Sequence, residues 1–522
     1  MAKNQSGLIR NLREDDSRAW LLLAVAIFLL RVTPWSMAEL WFDEVLTLQY
    51  FAIGQEDSTF LGIFRNYIMA NNHFLNSAVY WWWVRFLNYN FTAHLLRWPS
   101  LFFGLATIAV VVLHWRYFLG RRWAALAAVM LAISPVFGAF AYQVRGYSLA
   151  MFLATVALSG AMEISFGQLR RGQKLACTAC LLLPLVMPSA AMLAPSLALL
   201  IFLQQRSDKQ SWQCALARSL PCLLAGVLGG SYYLTLWEQF QRASQEAGGW
   251  SSSWEAAGAI ALGFLAHAGF VALPSLLGFL FPRWRDRNHP GLLSSYDRQL
   301  WFCCALPIIA LLCLRFGGRA PFPRVFLVYL PAVTLAAVWG AKQQGILRRA
   351  RIIYPAVVIL LTGCLVENAC SYLTRREVLA GKSPQNLLQQ YYRGASDNRE
   401  VVSFLQEKGL ALGSLVLVNE FDATSFRFYW QLAELPPQTV LAGNRAPQDF
   451  YRQQNFSQMQ LFVLARNEFE AQQLFYRAGH KGPFHQVMQT DLRTLFAPGT
   501  YSRFWPSQEQ SEQLLEKAWY NK

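Results

Sequence analysis

Long uninterrupted apolar runs fill the first 370 positions of the chain, and short alternating ones replace them afterwards. The first run, about 19 to 38, follows Arg10, Arg13 and Arg18, an arrangement that also opens secretory signal peptides. No small-residue cleavage site follows, and many apolar runs come later, so the pattern predicts a retained first membrane span. Ten further runs are long enough to cross: about 96 to 118, 123 to 140, 147 to 165, 175 to 190, 191 to 204, 215 to 236, 256 to 281, 299 to 315, 324 to 341 and 352 to 370. Pro184, Pro188 and Pro195 interrupt the fifth and sixth of these eleven.

A loop of about 39 to 95 separates the first two spans. It contains Phe74 to Phe86, with Trp81, Trp82 and Trp83, a stretch too short and too aromatic to cross. That composition predicts an interfacial helix lying along the membrane surface. After 371 the order reads helix 397 to 409, strand 414 to 419, helix 423 to 432, strand 438 to 441, helix 446 to 453, strand 459 to 465 and helix 467 to 478. Strand alternating with helix predicts a small α/β domain. No glycine-rich phosphate loop follows any of these strands, so a nucleotide site there has no support. The expected fold is an α-helical polytopic membrane protein with about 11 transmembrane helices (1–370), a long first outer loop (39–95), and a small C-terminal α/β extracytoplasmic domain (371–522).

Composition agrees with that class: 54% of the 522 residues are hydrophobic and only 15% are charged. The net charge of +16 is uneven. Residues 371 to 522 carry 16 basic and 14 acidic side chains, against 30 and 16 before them. The excess therefore belongs to the membrane part, where arginines interrupt apolar runs instead of forming a basic stripe, and nucleic acid is excluded as a partner. All nine cysteines lie in or beside apolar runs before 371, which argues against a disulfide framework. Cys177 and Cys180 have the spacing of a redox or metal pair, but the run around them has no histidine and reads as plain packing.

Charge also orients the spans. If the first loop is outside, 21 of the 30 basic residues before 371 fall inside, which supports eleven spans with the N-terminus in the cytoplasm and the C-terminal domain outside. The other nine run against this bias: Arg31, Arg65, Arg85, Arg97, Arg145, Arg242, Arg315, Arg319 and Arg324. Some of these snorkel to headgroups, as arginines near an interface do; the remainder are candidates for function.

The acidic pair Asp43 and Glu44, in Trp41-Phe42-Asp43-Glu44, sits where the first span gives way to the loop. Further notable stretches are Asn71-Asn72-His73 before the interfacial helix, Leu96-Arg97-Trp98-Pro99-Ser100 opening the second span, and Gly120-Arg121-Arg122 closing it. Ser134-Pro135 then precedes Tyr142-Gln143-Val144-Arg145-Gly146-Tyr147, and Pro323-Arg324 leads to Tyr329-Leu330-Pro331. In this order and spacing, across most of residues 20 to 345, the chain resembles the GT-C superfamily of membrane glycosyltransferases. Within it, the resemblance is to bacterial relatives of protein O-mannosyltransferases and of lipid A aminoarabinose transferases. Two departures stand out: Phe74-Leu75-Asn76 follows His73 where relatives usually have two prolines, and Gln143 stands where many have a glutamate.

The resemblance implies transfer of a sugar from a polyprenyl-phosphate carrier to an envelope glycan, lipid or protein acceptor, on the outer face of a bacterial inner membrane and with inversion. Such a reaction needs a base for the acceptor hydroxyl, positive charge for the departing phosphate, and a dry cleft. A partly desolvated carboxylate at a membrane boundary is a good proton acceptor. By analogy with the family Asp43 is the base, with Glu44 orienting a partner; the competing reading is a water-facing helix end. Guanidinium suits the phosphate because it stays charged and offers paired donors. Arg145 and Arg324 are the expected phosphate contacts, with Arg97 and Arg319 as helpers. His73, Tyr142 and Tyr147 are the expected substrate contacts, set against a satisfied loop histidine and two belt aromatics. No metal ligand set is read from the residues; the resemblance leaves a divalent metal open, and Gln143 removes one carboxylate from any such site. A transporter or flippase for a lipid-linked sugar, which would be expected to show internal repeats, and a lipid-linked oligosaccharide ligase or polymerase are the competing functions.

Overall fold

The computed structural model describes residues 17–37, 39–40, 42–53, 59–67, 72–246, 323–343, 398–408, 415–418, 420–433, 435, 440–442, 461–465, 467–477, 484–489 and 494–498. The expected spans at about 256 to 281, 299 to 315 and 352 to 370, the helix at 446 to 453, and Arg319 lie outside the described residues. The chain divides into two compact units: Met1–Met37 with Tyr50–Ala369, and Ala38–Gln49 with Cys370–Lys522.

In chain order the helices begin with α1 (Ser17–Ser36), the short α2 (Phe42–Thr47), α3 (Phe60–Arg65), α4 (Phe74–Phe86) and α5 (Ala93–Leu96). They continue with α6 (Trp98–Leu113), α7 (Arg116–Leu119), α8 (Arg121–Ile133), α9 (Pro135–Ala141), α10 (Tyr147–Ser165) and α11 (Leu169–Val186). After these come α12 (Leu193–Ser207), α13 (Trp212–Ser231), α14 (Trp237–Glu246) and α15 (Leu330–Gln343). Among the described residues, four helical stretches are long and apolar enough to cross a membrane: Trp98–Leu119, Tyr147–Ser165, Pro188–Ser207 and Trp212–Ala243.

The run expected as one span at 123 to 140 is two helices, α8 and α9. Pro135 has no N–H to continue α8, and Ser134 turns extended and caps the new helix by accepting from the Phe137 N–H at 3.2 Å. Pro184, by contrast, sits within α11 two residues before its last residue, forgoing one backbone bond without dividing the helix. The stretch expected as a helix at Phe74 to Phe86 is α4, with those bounds. Its Phe74 packs into an aromatic bed of Tyr67, Tyr232, Tyr233 and Phe240, and Tyr233 Oη donates to the Pro184 carbonyl of α11 at 2.9 Å.

Small residues bring the helices together. A Cβ on Gly160 of α10 would lie 2.6 Å from the Gly172 carbonyl and the Ala176 nitrogen of α11, so only glycine permits that approach. At the same end, Glu163 of α10 accepts from His114 Nε2 at 2.7 Å and pairs with Arg171 Nε at 3.3 Å, joining three helices through one buried carboxylate. Cys177 and Cys222 place their sulfurs 3.9 Å apart between α11 and α13, as packed thiols.

The second unit holds α16 (Asn398–Lys408), β1 (Leu415–Val418), α17 (Glu420–Leu432), β2 (Val440–Ala442), β3 (Leu461–Ala465), α18 (Glu468–Arg477), β4 (Phe484–Gln489) and β5 (Thr494–Pro498). The sheet order is β2-β1-β3-β5-β4, with β1 parallel to both its neighbours and β5 antiparallel to both of its own. The parallel strands are continuous apolar runs, as strands covered on both faces are. The antiparallel pair β4 and β5 was not among the expected elements. Phe484-His485-Gln486-Val487-Met488-Gln489 is a largely solvated edge strand whose apolar signal is weak. Its ring packs with Phe475 and Phe496 in the core below the sheet.

Candidate active site

Four segments of the first unit converge on one floor: the start of α4, the start of α6, the residues 142–147 between α9 and α10, and the end of α11. The order of aromatic and polar residues along each segment produces this meeting. Tyr80, on the buried face of α4, shares a 2.8 Å hydrogen bond with Ser100 Oγ of α6. Ser100 Oγ also contacts the Gln143 carbonyl at 2.5 Å, and Ser148 Oγ donates back to the Ser100 carbonyl at 2.6 Å. Three hydroxyls thus stitch α4, α6 and α10 around the 142–147 segment.

His73 caps the start of α4 and is buried. Its Nδ1 donates to the Val186 carbonyl at 2.7 Å; the carbonyl can only accept, so Nδ1 carries a proton. The ring sits edge-on to Tyr147 at 5.8 Å and against Gly146, where a Cβ would meet Nδ1 at 2.9 Å. Of the residues in Asn71-Asn72-His73, Asn72 is structural: its amide donates to the Ile63 and Asn66 carbonyls and accepts from Ser77, which anchors the loop ahead of α4.

Arg145 is 2% exposed, with its guanidinium 5.7 Å from the Tyr147 ring. Its charge reaches the Tyr67 phenol, whose pKa is raised by burial and drawn back by the Arg145 cation. Tyr67, in the first loop, is a member of this floor that sequence reasoning missed; a loop tyrosine has no periodicity to mark it. Tyr142 and Tyr147 are both buried, so neither is a belt aromatic.

Arg97 has a structural task. Its Nη1 donates to the carbonyls of Trp35 at 3.2 Å and Ser36 at 2.9 Å, satisfying the open end of α1, while its guanidinium lies 5.3 Å from the Tyr142 ring. Arg31 is likewise buried, its stem against Gly138, where a Cβ would come within 2.9 Å. Arg85 is committed to the carbonyls of Ala52 and Trp81 and stacks 3.6 Å above the Trp81 ring. Arg324 belongs to the 3₁₀ turn Pro323–Tyr329 that leads into α15.

The second unit contains the acidic pair. Asp43 and Glu44 occupy the first turn of α2, which packs against α17; Leu40 just ahead donates its N–H to Tyr429 Oη at 2.8 Å. Asp43 is 7% exposed and Glu44 0%, so a water-facing helix end does not describe them. On one helix their side chains diverge by about 100°, which separates their tasks. Among the described residues no three His, Cys, Asp or Glu side chains come together to hold a metal.

No protein-family model and no curated protein matches this sequence. Solved structures do match its fold. ArnT from Cupriavidus metallidurans in the apo state aligns with a TM-score of 0.50 at 13% identity, covering 93% of this chain and 99% of that one. The same protein bound to undecaprenyl phosphate gives 0.50 at 12% identity, over 94% and 99%. The apo Archaeoglobus fulgidus oligosaccharyltransferase is similar at a TM-score of 0.46 and 11% identity, over 94% of this chain and 75% of that one. The chain shares the fold of ArnT along nearly its whole length.

Proposed function

We propose that this chain is a membrane glycosyltransferase that moves a sugar from a polyprenyl-phosphate carrier to an envelope acceptor, with inversion. The observation that carries the reading is Arg145, a buried guanidinium beside the Tyr147 ring, which the His73 ring meets edge-on. A guanidinium stays charged and offers paired donors, which match the oxygens of a lipid phosphate. The likeness to ArnT, solved with undecaprenyl phosphate bound, supports the same class of carrier.

In this reading Asp43 takes the proton of the acceptor hydroxyl. The acceptor oxygen attacks the anomeric carbon from the side opposite the phosphate, and the bond from that carbon to the phosphate oxygen breaks. The phosphate keeps the electron pair and departs as a monoester, held by Arg145 and Arg324 with Arg319 as helper. A single displacement inverts the anomeric centre. His73, Tyr142 and Tyr147 bound the donor, Glu44 orients a partner of Asp43, and Arg97 acts through α1 by holding its end. No step is routed through a metal. Purified protein in lipid, given labelled polyprenyl-phosphate sugars and an envelope fraction, is expected to move label to that fraction. Transport of the intact donor across the bilayer without transfer would replace this reading with a flippase.

The eleven-span arrangement, with the N-terminus inside and the C-terminal domain outside, belongs to the same proposal and rests on the distribution of basic residues. Glu400 is exposed, so Glu400→Cys in a background without the native cysteines is expected to react with an impermeant maleimide in right-side-out vesicles. Reaction only after permeabilisation would overturn the orientation.

A further inference from the structure

Two buried amides, Asn76 of α4 and Gln143 of the 142–147 segment, are incompletely paired. Asn76 is 1% exposed, and its Nδ2 has no acceptor among the described residues. Gln143 is 2% exposed; its Nε2 donates to the Ala139 carbonyl at 2.7 Å, while its Oε1 has no donor among the described residues. Their neighbours are saturated: Asn72 uses both ends of its amide, and Tyr80, Ser100 and Ser148 are all engaged. Buried amides are usually fully paired, so these two open ones need an account.

The fold ties them to each other and to Arg145. Asn76 precedes Tyr80 by one turn on the buried face of α4, and the Tyr80 to Ser100 to Gln143 bonds connect that face to the segment bearing Arg145 two residues later.

The open groups are a donor and an acceptor, and both are neutral. A hydroxyl satisfies either, since it donates one hydrogen and accepts through two lone pairs. An ammonium cannot accept from Asn76 and would add a second cation beside Arg145. We infer that Asn76 and Gln143 form a subsite for the neutral ring hydroxyls of the donor sugar, selecting an uncharged hexose or pentose over an amino sugar. The inference rests on the glycosyltransferase reading above and extends it to the class of sugar.

The test uses the full chain in nanodiscs and four probes: polyprenyl phosphate alone, and polyprenyl phosphate carrying glucose, mannose or glucosamine. The wild type is expected to bind at least one neutral-sugar donor about tenfold or more tightly than the bare carrier, the yield of one good hydrogen bond. Gln143→Met and Asn76→Leu keep side-chain volume and remove the amide. Each is expected to erase most of that sugar increment while leaving affinity for bare polyprenyl phosphate and the melting temperature intact. Gln143→Glu is expected to move preference toward the glucosamine donor. An increment unchanged in both apolar variants, an equal loss for the bare carrier, or a wild-type preference for glucosamine would overturn the subsite. Failure of the wild type to bind bare polyprenyl phosphate would instead remove the glycosyltransferase reading beneath it.

Discussion

Asp43→Asn is expected to reduce sugar transfer by about 10²–10⁴-fold, the range that a positioned general base contributes. Asparagine has nearly the shape of aspartate, so α2 and its packing on α17 persist while the proton acceptor is lost. The melting temperature should therefore stay close to the wild-type value, and donor binding should be unaffected, because the carboxylate acts on the acceptor. Glu44→Gln, on the same helical turn but pointing about 100° away, should cost markedly less in turnover. Wild-type rates in Asp43→Asn with the protein folded would end the assignment. A near-complete loss in Glu44→Gln beside an active Asp43→Asn would exchange the two roles.

The large features of this fold are written in residue pattern. A run such as Tyr147–Ser165 announces its span because the bilayer demands about 20 apolar residues, and α4 announces its different place because thirteen residues with three tryptophans cannot cross. The break at Ser134 was less visible, since the apolar run continues through it and only the capping geometry of Ser134-Pro135 divides it. In the C-terminal unit β1 and β3 are evident as buried apolar runs, whereas β4 is half solvated and is defined by its pairing with β5.

Candidate residues are legible where a charge stands against the pattern around it. Arg145 drew notice by running against the topological bias, and Asp43 and Glu44 by their position at a membrane boundary. Arg97 drew the same notice for a different physical reason, since the carbonyls at the end of α1 need a donor. Charge alone does not separate a substrate contact from a helix cap. Tyr67, Asn76 and Tyr80 are neutral, and their part follows from which neighbours they meet, information that no local pattern carries.

Arg145 provides the sharpest test of the proposed phosphate site, because a guanidinium has the fork of donors that matches an oxyanion. Hydrogen bonds to charged groups contribute roughly 1.5–3 kcal/mol each, so losing two is expected to lower kcat/KM by on the order of 10²–10⁴-fold. Arg145→Met, which retains much of the buried volume, should show this loss, together with weaker binding of bare polyprenyl phosphate. Arg145→Lys keeps the charge and loses the fork; it should recover part of the carrier affinity and less of kcat, because the paired contact matters most as charge develops on the leaving phosphate. Carrier binding then separates the two halves of the site, since the Asn76 and Gln143 variants leave the bare lipid phosphate untouched and the Arg145 variants do not. If Arg145→Met lowers the melting temperature while carrier affinity and the response to donor stay at wild-type values, Arg145 is a packing residue whose charge holds helices together, and the anion must be sought elsewhere.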